Sequence, residues 1–162
     1  MANEYYGKQI LGELSDNQKL PNAGTVDSTN MVNIAGQTNG KLWIDVYAGT
    51  DISIADDKKF SIELEGYTSD DNDSATPPFS TANNGGMQGT SGTPESDAHY
   101  YLLHKAATTD GVLAFSKGSL ITQCAIPEDL FRLLKYDFVQ LKYTTDADES
   151  SETVTAFVYS KM

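Results

Sequence analysis

A chain of 162 residues with 39% hydrophobic residues is long enough for one globular domain and too apolar to be disordered throughout. Its net charge of −12, from 23 acidic and 11 basic residues, opposes binding to nucleic acid or to an anionic membrane surface. No apolar run reaches the length of a transmembrane helix, and the first six residues lack the features of a secretory signal. We therefore expect a soluble protein made in the cytoplasm.

The first 30 residues give a mixed pattern that glycine and proline interrupt. We predict an extended N-terminal arm over 1–30 with at most one short helical turn. Arms of this kind are often mobile until they dock on a neighbour. The large apolar residues Tyr5, Tyr6, Ile10 and Leu11 are therefore candidate partner contacts.

The clearest pattern begins at residue 42, where side chains alternate in character. Leu42 and Val46, with the isoleucine between them, share one side of a strand predicted over 41–48, because successive strand side chains point to opposite faces. Trp43 and Tyr47 then face outward. Outward aromatic residues are typical of interfaces, and the alternative is a second sheet packed on that face.

A second strand is predicted over 59–68 by the same alternation. Glu63 and Glu65 fall on its outward face, where we expect them to meet only water or a partner. Such pairs occur on any solvent face of a strand, so they do not indicate glycoside chemistry. Tyr67 continues this outward face and is a candidate partner contact.

After Tyr67 the composition becomes rich in small and polar residues. Over 69–97 the only large apolar residues are Phe79 and Met87, which predicts one long surface loop. Loops of this length inside a compact domain are typically functional or disordered. Phe79 and Met87 are therefore candidate partner contacts.

Four further strands complete the pattern, the last two joined as a hairpin through an acidic tip at 145–152. A helical turn is predicted at 127–131. No internal repeat is evident. The sequence thus predicts an all-β antiparallel β-sandwich or jelly roll, as a single domain over 1–162. The four strands are predicted at 100–105, 119–126, 136–143 and 153–159.

Few residues have the spacing of a chemical site. His99 and His104 would point to opposite faces of a strand, and the acidic run 70–74 lacks the glycine and glutamate of a calcium loop. The glycine-rich run 84–90 has no following Lys-Ser or Lys-Thr, and Cys124 lies in an apolar run typical of a small buried residue. We predict no catalytic residue, no cofactor, no metal and no enzyme activity.

Over most of its length the chain resembles the jelly-roll capsid cement, or decoration, proteins of tailed bacteriophages, of the type known from a Bordetella phage. The resemblance is one of pattern and has no invariant chemical motif. It lies in the turn and short strand at 27–34, the strands at 42–46 and 60–67, the segment 127–132, the aromatic-rich strand from residue 136, and the closing strand at 153–157.

The resemblance implies a structural virion protein that binds the outside of the assembled head and bridges major capsid subunits. It also implies a homo-oligomer, a dimer or trimer, on the outer surface of the capsid. The arm and the long loop would contact the neighbours. The alternative is a carbohydrate- or host-receptor-binding β-sandwich module in which exposed Trp43 and Tyr47 stack on a sugar.

Overall fold

The structure, a computed structural model, describes residues 8–34, 42–67, 100–107, 111–126 and 138–161. These ranges form strands, turns and bends, with no helix among them. The strands are β1 (Lys8–Lys19), β2 (Thr25–Asp27), β3 (Val32–Asn33), β4 (Leu42–Ala48), β5 (Ile52–Ile54), β6 (Phe60–Tyr67), β7 (Tyr100–Lys105), β8 (Leu113–Phe115), β9 (Leu120–Ala125), β10 (Phe138–Thr145) and β11 (Thr153–Lys161).

Two antiparallel sheets form the body of the protein. The first has the order β1-β11-β4-β9, and the second has the order β2-β10-β6-β7, with β3 also paired to β10. The two short strands β5 and β8 form a separate pair. The predicted all-β antiparallel sandwich is therefore confirmed.

The pairings follow the nested order of one long folded ribbon. Strand β1 pairs with β11, β2 and β3 with β10, β4 with β9, β5 with β8, and β6 with β7. Folding such a ribbon over itself places successive pairs in alternate sheets, which is the arrangement of a jelly roll. Hydrogen bonds also join the two sheets along both long edges. On one side Asn30 N, between β2 and β3, donates to Leu14 O on β1 at 2.9 Å, and on the other Thr122 Oγ1 on β9 donates to Leu102 O on β7 at 3.0 Å.

The hydrophobic core lies between the sheets and consists of inward residues from both. Strand β4 contributes alternate side chains, with Ile44 and Val46 fully buried. In the opposite sheet Tyr143 is also fully buried, and its hydroxyl forms a hydrogen bond of 2.9 Å with the Ser15 hydroxyl. The other fully buried apolar side chains include Leu14, Ile34, Ile54, Phe60, Ile62, Val139, Leu141, Val154, Ala156 and Val158.

The expectation of a separate N-terminal arm is wrong for the described residues 8–30. Strand β1 pairs with β11 along its length, and Leu14 and Leu20 are buried in the core. Three register shifts in the β1–β11 ladder break the strict alternation that would have revealed a strand. The backbone is extended as predicted, but it belongs to the sandwich.

The predicted hairpin of the last two strands is also wrong. Strand β10 lies in the second sheet and β11 in the first, because each pairs with a strand near the start of the ribbon. The connector of residues 146–152 therefore crosses from one sheet to the other. The predicted helical turn at 127–131 and the long loop at 69–97 lie outside the described residues.

Candidate functional site

The outer surface of the β1-β11-β4-β9 sheet carries the largest set of outward aromatic residues in the described chain. Cross-strand pairing aligns Ile10, Tyr159 and Trp43 in one row, Phe157, Asp45 and Gln123 in the next, and Tyr47 with Leu120 in a third. Directly paired strand residues share a face. We call these eight residues the aromatic face.

Asp45 lies at the centre of the aromatic face and is only 2% exposed. Lys8 and Tyr47 donate hydrogen bonds to its Oδ2, and Gln123 and Tyr159 donate to its Oδ1, all at 2.9 Å. Gln123 Nε2 also donates to the Tyr159 hydroxyl at 2.9 Å. A buried carboxylate needs such partners, because an unpaired one would cost several kcal/mol. This network joins β1, β4, β9 and β11.

The network also shifts the acidity of its members. Burial acts to raise the pKa of Asp45, but the hydrogen bonds from Lys8, Gln123, Tyr159 and Tyr47 outweigh it and leave this pKa below its ordinary value. Burial first, and then Asp45, raise the pKa of the Tyr159 phenol. Asp45 is therefore charged, and Tyr159 is neutral, at neutral pH.

Two lysines lie against aromatic rings of this face. Lys8 Nζ is 4.6 Å from the Tyr159 ring centroid, and Lys161 Nζ is 3.6 Å from that of Trp43. Cation–π contacts of this kind are worth about 0.5–1 kcal/mol where exposed. Both contacts favour the observed positions of the two rings.

The flanks of the aromatic face are open to solvent. Ile10 on β1 and Leu120 on β9 are each 43% exposed. Between them Trp43, Tyr47 and Phe157 are half-buried, with the Tyr47 and Phe157 ring centroids 6.1 Å apart. The result is a fixed surface of partly exposed apolar side chains on a rigid sheet.

The structure brings together three of the predicted partner contacts, Ile10, Trp43 and Tyr47. Leu11 differs, because it packs against the core from the opposite side of β1. Tyr67 ends β6 in the other sheet, away from this face. The remaining predicted contacts lie outside the described residues: Tyr5, Tyr6, Phe79 and Met87.

The polar centre of this face was not predicted from the sequence. One signal was present, since Asp45 occupies the outward position between Trp43 and Tyr47 on the same strand. Its partner Lys8 is 37 residues away in the chain and Tyr159 is 114 away. Those partners follow only from the strand order.

The outward face of the second sheet corrects a prediction. Glu63 and Glu65 were expected to meet only water or a partner, but they are 7% and 6% exposed. Lys142 on β10 forms an ion pair with Glu65, and a hydrogen bond with Glu63 raises the pKa of Tyr101. Burial, followed by the charge of Glu65, raises the pKa of Asp27 on β2. Glu63 and Glu65 are therefore buried side chains with polar partners on β7 and β10.

The lone cysteine and the described histidine contribute no chemical cluster. Cys124, predicted to be a small buried residue, is half-buried, and its Sγ lies 3.8 Å from the Tyr100 hydroxyl. His104 is exposed and packs on Tyr101 with ring centroids 4.8 Å apart, while His99 lies outside the described residues. Across the described ranges, no group of three or more His, Cys, Asp or Glu side chains is placed to hold a metal.

Comparisons with known proteins identify no family for this chain. No protein-family model and no curated protein match it. The described segments also contain no helix with the length and apolar character needed to span a membrane. The geometry of the aromatic face is therefore the main basis for a functional proposal.

Proposed function

We propose that this protein is a non-enzymatic capsid cement protein that binds the outside of an assembled tailed-phage head and bridges major capsid subunits. The observation that carries the proposal is the aromatic face, a surface of partly exposed apolar side chains fixed by Asp45 on a rigid sheet. Rigid aromatic side chains bury contact area at a low entropic cost. The jelly-roll order of the strands supports the same family resemblance.

Binding only the assembled shell is enough to stabilise it. A protein present at about 1,000 times its Kd adds about 4 kcal/mol per site to the bound state. The net charge of −12 favours a partner surface with basic residues and disfavours the packaged DNA. The protein then acts on the outer surface of the virion, as a homo-oligomer of this chain.

The aromatic face can be tested through its exposed flanks. Ile10→Asp and Leu120→Asp place a charge on residues that are 43% exposed, so folding is little affected. Val112→Asp is the matched control, because Val112 is 63% exposed and lies in the loop before β8. Losing one buried apolar side chain from an interface costs about 1.5–3 kcal/mol, which is about tenfold or more in Kd.

The assay is co-sedimentation with heads of the phage that encodes this chain, produced without it. We expect Ile10→Asp and Leu120→Asp to reduce occupancy about tenfold or more, and Val112→Asp to bind like the wild type. Equal binding by all three variants would remove the aromatic face from the proposal. Absence of wild-type binding would reject the cement function itself.

The N-terminal contribution needs a short deletion. Removing residues 1–24 would delete β1 and with it the buried side chains of Leu14 and Leu20, so lost binding would report unfolding. Removing residues 1–7 leaves β1 intact. Reduced head occupancy after this deletion, with unchanged thermal stability, supports a contact by Tyr5 and Tyr6.

The carbohydrate-binding alternative receives less support from the aromatic face. The Lys161 ammonium lies over the Trp43 ring, and the Tyr47 hydroxyl donates to Asp45. Stacking a sugar on Trp43 would require that ammonium to move. A glycan array without a hit, beside head binding by the same sample, separates the two functions.

A further inference from the structure

The connector of residues 146–152 is tied to several parts of the sandwich. Ala23 N donates a hydrogen bond to Ala147 O of the connector at 2.9 Å, and Glu149 N of the connector donates one to Pro21 O at 3.1 Å. Glu152 O accepts from Leu20 N at 2.9 Å, and Glu152 Oε1 accepts from Ser53 N on β5 at 3.1 Å. The connector thereby joins the end of β1 to β5.

Two carboxyl groups of the connector meet at this junction. Glu152 N donates to Glu149 O at 2.9 Å, so one tight turn brings the two residues together. Glu149 is only 8% exposed, and its carboxyl lies within hydrogen-bonding reach of that of Glu152. Glu152 Oε2 is buried, and no described group donates to it while both residues are ionised.

The surrounding charges do not neutralise this pair. Asp148, in the same connector, adds a further negative charge. The Lys58 ammonium pairs with Asp57, while Asp146 and Asp51 accept from the backbone N–H groups of Lys59 and Lys117 and add further negative charge nearby. Within the described residues, no ion pair links Glu149 or Glu152 to a lysine of these segments or to Lys19 at the end of β1.

We propose that Glu149 and Glu152 share one proton and act as a pH-sensitive carboxyl pair that holds the connector against β5 and the segment 20–24. The proton lies on Glu149 and is donated to Glu152 Oε2, the buried oxygen that otherwise has no donor. When the proton is released to solvent, the buried carboxylate of Glu149 faces the half-buried carboxylate of Glu152, and the connector loosens. This device is independent of the proposed capsid function.

The direction of the pH effect follows from the proton count. Burial, the charge and hydrogen bond of Glu152, and the charge of Asp148 raise the pKa of Glu149 from 4.5 to about 7. We call the connector closed when it is held against β5 and the segment 20–24, and open when it is released. Between these two pKa values the closed connector binds a proton that the open connector lacks, so the closed state becomes less stable as pH rises. From about pH 6 to about pH 8 the population of the open connector rises about tenfold.

The wild-type protein gives the first test. Full-length protein labelled with carbon-13 at the glutamate carboxyls is titrated by NMR from about pH 3 to about pH 9. We expect one glutamate to titrate near pH 7, and its signal to be lost in Glu149→Gln. Titration of every glutamate below about pH 5.5 would overturn the proposal without any variant being needed.

Amide hydrogen exchange at Ser53 and Leu20 tests whether the proton controls the connector. Wild-type protection, corrected for the intrinsic exchange rate, should fall about tenfold between about pH 6 and about pH 8. In Glu149→Gln the amide donates to Glu152 at every pH, so the change should be below about twofold. Glu13→Gln, at an exposed carboxylate on β1, is the control and should behave like the wild type.

Two results would overturn the mechanism. One is an unchanged wild-type protection factor, and the other is the same tenfold fall in Glu149→Gln. If Glu149→Gln does not fold, Glu152→Gln takes its place. Its neutral amide removes the like charge and donates to Glu149, so the midpoint should fall by at least about one pH unit. An unmoved midpoint in that variant would equally reject the shared proton.

Discussion

Replacing Asp45 by asparagine should destabilise the sandwich although the side chain keeps its size. The asparagine oxygen can still accept from Tyr159 and Gln123. Its amide would, however, face the Lys8 ammonium and the Tyr47 hydroxyl, which donate to Asp45 Oδ2 at 2.9 Å. The variant therefore loses the bonds from Lys8 and Tyr47 and leaves the Lys8 ammonium, whose side chain is 17% exposed, beside a donor.

The size of the effect follows from the lost contacts. A hydrogen bond to a charged group contributes about 1.5–3 kcal/mol, and breaking a buried pair by removing one partner costs about 3–5 kcal/mol. Because asparagine keeps two of the four bonds, we expect a loss of about 2–3 kcal/mol. For a protein of this size that corresponds to a fall of roughly 5–10 °C in Tm.

Urea unfolding at neutral pH measures this loss, with Asp16→Asn as the matched control. Asp16 is an exposed carboxylate on β1, so its replacement should change the unfolding free energy by less than about 0.5 kcal/mol. A lowered pKa means that the wild type loses its advantage as pH falls below the ordinary value of 3.8. The two proteins should therefore converge in acid. A loss below about 0.5 kcal/mol in Asp45→Asn at neutral pH would refute the network.

Three further predictions concern the core. A Cβ on Gly12 would lie 2.8 and 2.9 Å from the Val32 methyl carbons. Gly12→Ala should therefore lower the unfolding free energy measured in urea by about 1–3 kcal/mol, and a double-mutant cycle with Val32→Ala should show coupling between the two sites. Gly24→Ala, whose Cβ would have its nearest neighbour at 3.8 Å, should stay within about 0.5 kcal/mol, and equal costs would contradict the close approach. Lys105→Met removes three bonds from a buried ammonium to backbone carbonyls and should cost about 2 kcal/mol, whereas unchanged stability would show that water replaces it. Tyr143→Phe should cost about 1 kcal/mol by the same measurement, and a neutral result would show that its hydroxyl contributes nothing.

Strict alternation decided which strands could be predicted. In β4 and β6 every second residue enters the core, and the predicted bounds agree with the observed ones within two residues. Strand β1 was missed because its ladder with β11 shifts register three times, which changes the face that each residue presents. Alternation also shows on which face a side chain lies but not whether other side chains bury it. Glu63 and Glu65 were therefore expected to meet only water or a partner, although they are buried.

Pairing between distant strands decided how much of the aromatic face could be predicted. Trp43 and Tyr47 were recognised because they share one strand. Lys8, Tyr159 and Gln123 come from three other strands, and only the order β1-β11-β4-β9 brings them to Asp45. The missed hairpin has the same origin, because neighbours along a jelly-roll chain belong to different sheets.

Asp45 also stabilises the place where the first and last strands of the ribbon pair. Lys8 and Lys161 lie directly opposite each other where β1 meets β11, and like charges in such positions destabilise a sheet. Asp45 pairs with Lys8, while Lys161 lies over the Trp43 ring, so both charges are compensated from β4. Strand β4 thus stabilises the junction of the first and last strands with the same side chains that form the aromatic face. A change that weakens this junction should therefore also disorder the proposed docking surface.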